Sequence, residues 1–169
     1  ATRRIWFTRP LGATDAGDDE AITQTADSRY YLDIDNDDGG ILTGLASTLD
    51  GAVYAFTSTS VWRLVDTGAT DKPIRSERVV SISGALSQYL ITTGDTEHPS
   101  RIYFVSSAGP FYYSPEDGAV FVGADWCDTS SNALSSSNPN NAVAMGWDPM
   151  FRRALMSFIG ETRCRSFTP

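Results

Sequence analysis

The chain has 169 residues, with 21 Asp and Glu against 13 Lys and Arg, and its formal net charge of −8 disfavours binding to nucleic acid or to an anionic membrane surface. Its 41% hydrophobic and 11% aromatic content is that of an ordinary globular domain, or part of a larger one, and argues against wholesale disorder. No apolar run approaches the roughly 20 residues of a membrane-spanning helix. Two cysteines, Cys127 and Cys164, are too few for a disulfide framework, and they could pair or remain separate thiols.

Residues 1–41 predict lead-in strands and acidic loops. Residues 4–9 alternate as a strand does, and residues 29–34 form a second strand-like segment. Residues 12–28 between them are acidic and predict a loop, and an acidic turn follows at residues 35–40.

Residues 42–169 predict a repeat region in which short apolar strands alternate with polar turns. The clearest hairpin joins residues 42–48 to residues 52–57 through Asp50-Gly51, which supplies the positive φ that a tight turn needs. No window predicts a long amphipathic helix, and residues 84–91 are the one weak helical segment. A Ser/Asn-rich loop is predicted at 128–141, and the remaining strands at 61–65, 78–82, 89–92, 101–106, 111–113, 119–122, 142–147, 153–158 and 163–167.

A strand pattern recurs along the chain at a spacing of roughly 50 residues, which is typical of stacked sheets or propeller blades. Trp6, Tyr54, Tyr103 and Leu155 occupy its matching points, 48, 49 and 52 residues apart. We therefore predict an all-β fold with antiparallel sheets of β-propeller type, and a β-sandwich is the alternative. Three units and an opening strand are too few to close a propeller, so we expect a larger polypeptide or another chain to complete it.

The segment Val65-Asp66-Thr67-Gly68 resembles the active-site loop of retropepsin-like aspartic proteases, and residues 121–123 resemble the second signature of that family. This resemblance implies that Asp66 would be the catalytic acid and base, sharing a proton with a second aspartate across a dimer. The same residues also fit a strand that ends in a polar turn.

Two further groups could bind ligands. Asp33, Asp35 and Asp37 place carboxylates at alternate positions, as a calcium loop does, although Asp38 stands where an EF-hand has glycine; a solvated acidic turn is the alternative. The single histidine, His98, excludes sites with several histidines and predicts an exposed loop residue. Candidates for an exposed binding face, or alternatively for burial in the core or an interface, are Tyr112, Tyr113, Trp126 and Trp147.

Two segments resemble the repeats of propeller-type structural proteins of tailed bacteriophage virions. Gly51-Ala52-Val53-Tyr54-Ala55-Phe56 and Ser60-Val61-Trp62-Arg63-Leu64 lie in the first segment, and Tyr103-Phe104 followed by Gly109-Pro110-Phe111 lies in the second. The resemblance implies a virion component, such as a tail nozzle, tail hub or fibre-attachment protein, that works as a homo-oligomeric ring among other virion proteins. It implies no catalytic residue and no cofactor. An aspartic protease and a calcium- or glycan-binding propeller module are the alternative functions.

Overall fold

The computed structural model describes residues 3–7, 31–34, 40–69, 72–81, 83–123, 142–159 and 164–167. Within them the protein is all-β, as predicted, with one short 3-10 helix at Gln88–Leu90 where the sequence had only a weak helical segment. None of these residues belongs to a helix of the length and hydrophobicity that a bilayer crossing requires. The strands are β1 (Arg4–Trp6), β2 (Tyr31–Asp33), β3 (Leu42–Ser47), β4 (Val53–Thr57), β5 (Val61–Asp66), β6 (Ile74–Val80), β7 (Ile91–Thr92), β8 (Ile102–Ser106), β9 (Gly109–Ser114), β10 (Gly118–Phe121), β11 (Ala142–Asp148), β12 (Arg153–Phe158) and β13 (Arg165–Phe167).

The strands form four antiparallel sheets. The first sheet pairs β1 with β2, and the fourth has the order β11-β12-β13. The second sheet (β3–β6) and the third (β7–β10) are four-stranded meanders in which each strand pairs with the next along the chain. The two meanders therefore repeat one plan, and they contain the two segments that resemble the virion repeats.

Turn chemistry fixes the hairpin between β3 and β4. Gly51 has a φ of +86°, a left-handed conformation that side chains disfavour, which confirms the predicted role of Asp50-Gly51. The Asp50 carboxylate accepts a hydrogen bond from Thr48 Oγ1 and another, of 3.3 Å, from the amide of Ala52. The register that follows places Tyr54 opposite Ala46 on the neighbouring strand.

The sheets stack face to face in chain order because strand residues alternate between two faces. On β4, Tyr54 and Phe56 pack towards the third sheet, whereas Ala55 packs towards the first. On β8, Phe104 packs back against the second sheet, whereas Tyr103 packs forward against the fourth. Every residue of β8 is buried, as expected for a strand covered on both faces.

The predicted equivalence of Trp6 with Tyr54 and Tyr103 in the sequence repeat is wrong. Tyr54 and Tyr103 both lie on the second strand of a meander and both face the following sheet. On β1, however, it is Ile5 that packs towards the second sheet, so Trp6 lies on the opposite face. The predicted alignment of Trp6 fails by one residue, and a shift of one residue reverses the face of every side chain in a strand.

The segment before β7 links the second and third sheets. Gly84 lies so close to the β4–β5 turn that a Cβ atom there would be 1.9 Å from the carbonyl oxygen of Thr57. Further along, the side chain of Gln88 accepts a 2.7 Å hydrogen bond from the amide of Leu45 at the edge of β3. These contacts bring the segment before β7 against the second sheet, and β7 itself contacts both β3 and β11, the first strands of the second and fourth sheets.

Candidate functional site

Alternate turns of a meander lie at the same end of the sheet, so the β3–β4, β5–β6, β7–β8, β9–β10 and β11–β12 turns can share one surface. The β7–β8 turn contacts both the β3–β4 turn and the β11–β12 turn. Pro99 accepts backbone hydrogen bonds of 2.9 and 3.3 Å from Leu49 and Asp50, and Arg152 forms a 2.5 Å ion pair with Glu97. We call this surface the turn end.

The β7–β8 loop is organised around Asp95, a carboxylate that is 5% exposed. Asp95 Oδ2 accepts a 2.7 Å hydrogen bond from the hydroxyl of Tyr103 and lies 3.0 Å from Nδ1 of His98. Asp95 Oδ1 accepts hydrogen bonds of 3.1 and 3.3 Å from the amides of Glu97 and His98. Burial by itself would raise the pKa of Asp95, but these hydrogen bonds outweigh it and hold the pKa below its ordinary value.

The Asp95–His98 pair holds a loop in place. Such a pair orients an imidazole, as in hydrolases, but catalysis there also needs a hydroxyl or thiol on the other ring nitrogen. Among the residues described, His98 hydrogen-bonds through its side chain to Asp95 alone. His98 is half exposed in a loop, as predicted from the sequence.

A second polar network surrounds Asp117 in the β9–β10 turn. Its Oδ2 accepts hydrogen bonds of 3.1 Å from Ser114, 3.2 Å from Tyr112 and 3.3 Å from Arg101. The hydrogen bond from Ser114 is the largest of the effects that lower the pKa of Asp117. The guanidinium of Arg101 also lies 4.4 Å from the centre of the Tyr112 ring. Tyr112 is thus half-buried within a structural network rather than presented freely to a ligand.

The other aromatic candidates take different positions. Tyr113 is a core residue, 7% exposed, and packs edge-on against Tyr54 at 5.6 Å, so an exposed role for it is wrong. Trp147 is half-buried and stacks on Tyr103 at 5.1 Å. Trp126 lies outside the described residues. The described members of the set therefore serve packing, the alternative that the sequence had left open.

Asp66 lies at the exposed end of β5. Its Oδ1 accepts a 2.8 Å hydrogen bond from the amide of Gly68, and Thr67 Oγ1 donates to the carbonyl of Lys72. This is a local Asx turn of the kind that begins many polar loops. No second carboxylate among the described residues hydrogen-bonds to Asp66, and the protease hypothesis pairs it with an aspartate across a dimer.

Of the three aspartates proposed as calcium ligands, only Asp33 lies within the described residues. Asp33 forms a two-pronged ion pair with Arg4, with hydrogen bonds of 2.7 and 2.8 Å, and those hydrogen bonds lower its pKa. Asp35 and Asp37 lie outside the described residues, and in the described part of the chain no three acidic, His or Cys side chains cluster as metal ligands. Cys164 is an exposed free thiol, and Cys127 is outside the described residues.

One surface was not predicted from the sequence, the outer face of the fourth sheet. On β12, Ala154, Met156 and Phe158 pack against the third sheet, so the side chains between them point away from it. This outer face includes Ala144, Gly146, Leu155 and Ser157, with Ser166 beside Leu155 and the Arg153–Asp148 ion pair at one end. Val143 and Ile159 lie at its margin and are exposed by 48% and 70%. The alternation in residues 153–158 could have revealed it, had the direction of stacking been known.

A scan of protein-family models finds no match to this chain. A search of curated proteins likewise finds no similar sequence.

Proposed function

We propose that the chain is a structural subunit of a tailed-bacteriophage virion, a segment of a β-propeller-type ring that other virion proteins or further copies complete. In this proposal its role is mechanical: it performs no chemical reaction and needs no cofactor. The observation that carries the proposal is the stack of repeated meanders, because sheets packed face to face around converging first strands are the building plan of a propeller.

The residues behind the virion resemblance have structural roles that support the proposal. Gly51 makes the tight turn, and Tyr54 and Phe56 contact the next sheet. In the Ser-Val-Trp-Arg-Leu segment, the indole of Trp62 donates a 2.8 Å hydrogen bond to Ser60 Oγ, which fixes the start of β5. The motifs therefore describe how one sheet is built and stacked on another.

Electron microscopy of the purified chain, and immunogold labelling of the particle that carries it, test this function. We expect ring-shaped assemblies and label at one fixed position on the particle. A protein that stays strictly monomeric and is absent from virions would refute the proposal. Cleavage of a peptide library at acidic pH, abolished in Asp66→Asn, would replace it with the aspartic protease. A melting temperature raised by calcium and lowered by a chelator would instead favour the calcium-binding module.

A further inference from the structure

The outer face of the fourth sheet is apolar around Leu155 and Gly146, with Ser157 and Ser166 beside them and the Arg153–Asp148 ion pair at the end near the β11–β12 turn. Leu155 is its centre, and in the register of the sheet it lies between Gly146 and Ser166. A Cβ atom added to Gly146 would meet nothing within 4 Å, so there is open space beside Leu155. An exposed apolar sheet face of this kind is characteristic of a surface that another protein covers.

The internal stacking of the chain indicates what covers it. Tyr54 in the second sheet and Tyr103 in the third lie on the second strand, face forward, and are fully buried by the following sheet. Leu155 has the same position and direction in the fourth sheet, but it remains partly exposed. The outer face thus continues the series of sheet-on-sheet interfaces that already run through the molecule, and the matching occupant is one more sheet.

The first sheet lies at the opposite end of the same stack, and among the described residues no further sheet packs on its outer side. On the first sheet, Ile5 packs inward, and the outward side carries Trp6 and Tyr31 in an edge-on contact at 5.3 Å. Arg4 lies 3.7 Å from the centre of the Tyr31 ring, and its charge is balanced by Asp33. This aromatic surface is bulky and carries no net charge, which complements a shallow aliphatic face with a gap at Gly146.

We propose that the occupant is a second copy of this chain, whose first sheet stacks through Trp6 and Tyr31 on the outer face around Leu155. The inference rests on the proposed function and names the partner at that surface. The contact is head-to-tail, because it joins two different surfaces. Repetition of the same contact then yields a closed ring or an open filament.

Sedimentation velocity across a wide concentration range tests the contact with one variant on each surface. We expect the wild-type chain to form dimers and larger species. Leu155→Glu and Trp6→Glu should each weaken self-association by about tenfold or more, since a charge would be buried without a partner. Ile159→Glu, at a side chain that is 70% exposed, tests the outer face with little risk to folding. Met150→Glu is the matched control, because Met150 is 81% exposed and lies in the β11–β12 turn, away from both surfaces.

Mixing the two variants distinguishes a head-to-tail contact from a symmetric one. Leu155→Glu retains a working first sheet and Trp6→Glu retains a working outer face, so together they should form one-to-one dimers and nothing larger. Persistent dimers of Trp6→Glu by itself would indicate contact between two outer faces and overturn the inference. Unchanged association of Leu155→Glu and Ile159→Glu, or a wild-type monomer at every concentration, would also overturn it. Immunogold labelling of the particle tests the proposed function independently of whether copies of the purified chain associate.

Discussion

Two tyrosines at equivalent positions of the repeat should respond in opposite directions to loss of the hydroxyl group. Tyr54 and Tyr103 are both fully buried on the second strand of a meander. The hydroxyl of Tyr103 donates a 2.7 Å hydrogen bond to the Asp95 carboxylate, whereas the hydroxyl of Tyr54 is buried without a hydrogen-bond partner among the described residues. Tyr54→Phe and Tyr103→Phe remove the same atom from these two environments.

The magnitudes follow from the cost of burying a polar group. An unpaired buried hydroxyl costs roughly 1–3 kcal/mol, so Tyr54→Phe should raise the free energy of unfolding by about 1 kcal/mol. A hydrogen bond to a charged group contributes roughly 1.5–3 kcal/mol, so Tyr103→Phe should lower that free energy by about 2 kcal/mol. The two variants should therefore differ by about 3 kcal/mol, although they share one chemical change.

Equilibrium unfolding in urea, followed by tryptophan fluorescence and by circular dichroism, measures both changes. The slope of unfolding free energy against urea concentration must match that of the wild type, so that a shift in midpoint reports stability alone. Destabilisation of Tyr54→Phe by 1 kcal/mol or more would refute our account of its hydroxyl. A neutral Tyr103→Phe would refute the structural role of the Asp95 network.

Three further predictions concern pH and backbone packing. The folded-state pKa of Asp95 lies below its ordinary value, so the ionised Asp95 carboxylate stabilises the fold fully above about pH 4, and this stabilisation is lost as the pH falls through the folded pKa. The free energy of unfolding of Asp95→Asn should therefore depend less on pH in the acid range than that of the wild type. Burial raises the pKa of Tyr54 to about 12, so the free energy of unfolding, measured in urea at each pH, should fall as the pH rises from about 10 towards that value, and Tyr54→Phe should reduce this loss. Gly84→Ala should lower the free energy of unfolding by about 3 kcal/mol or more, because its Cβ would collide with the carbonyl of Thr57. Gly146→Ala meets open space, so it should leave that free energy unchanged or raise it by about 0.5 kcal/mol. A soluble Gly84→Ala protein with an unchanged melting temperature would contradict the packing described at Gly84.

The pattern of residues along the chain predicted most of the strands. Residues 153–158 were predicted and found as a strand with the same bounds, because their alternation records which side chains are buried. The β6 strand is the largest difference: it begins at Ile74, four residues before the predicted start at residue 78. The early part of β6 is polar, and its pairing with β5, for example Arg75 opposite Val65, makes it a strand despite its composition.

The candidate site was less predictable than the strands. The turn residues Asp50 and Gly51 act locally, so the sequence was sufficient for them. The network around Asp95 joins it to Tyr103, a residue of the following strand, and no spacing rule indicates such a contact. Which side chains form the outer face of the fourth sheet depends on which side of β12 packs against the third sheet. An alternating sequence pattern does not indicate that side.

Local chemistry alone thus determined that this chain is all-β, where most of its strands and tight turns lie, and that a unit of sheet repeats. The tertiary structure decided which face of each strand is buried, that Ile5 rather than Trp6 faces the next sheet, and that Leu155 remains partly exposed. The physical reason is that alternation separates the two faces of a strand without saying which one will be covered. That choice depends on contacts between sheets far apart in the chain.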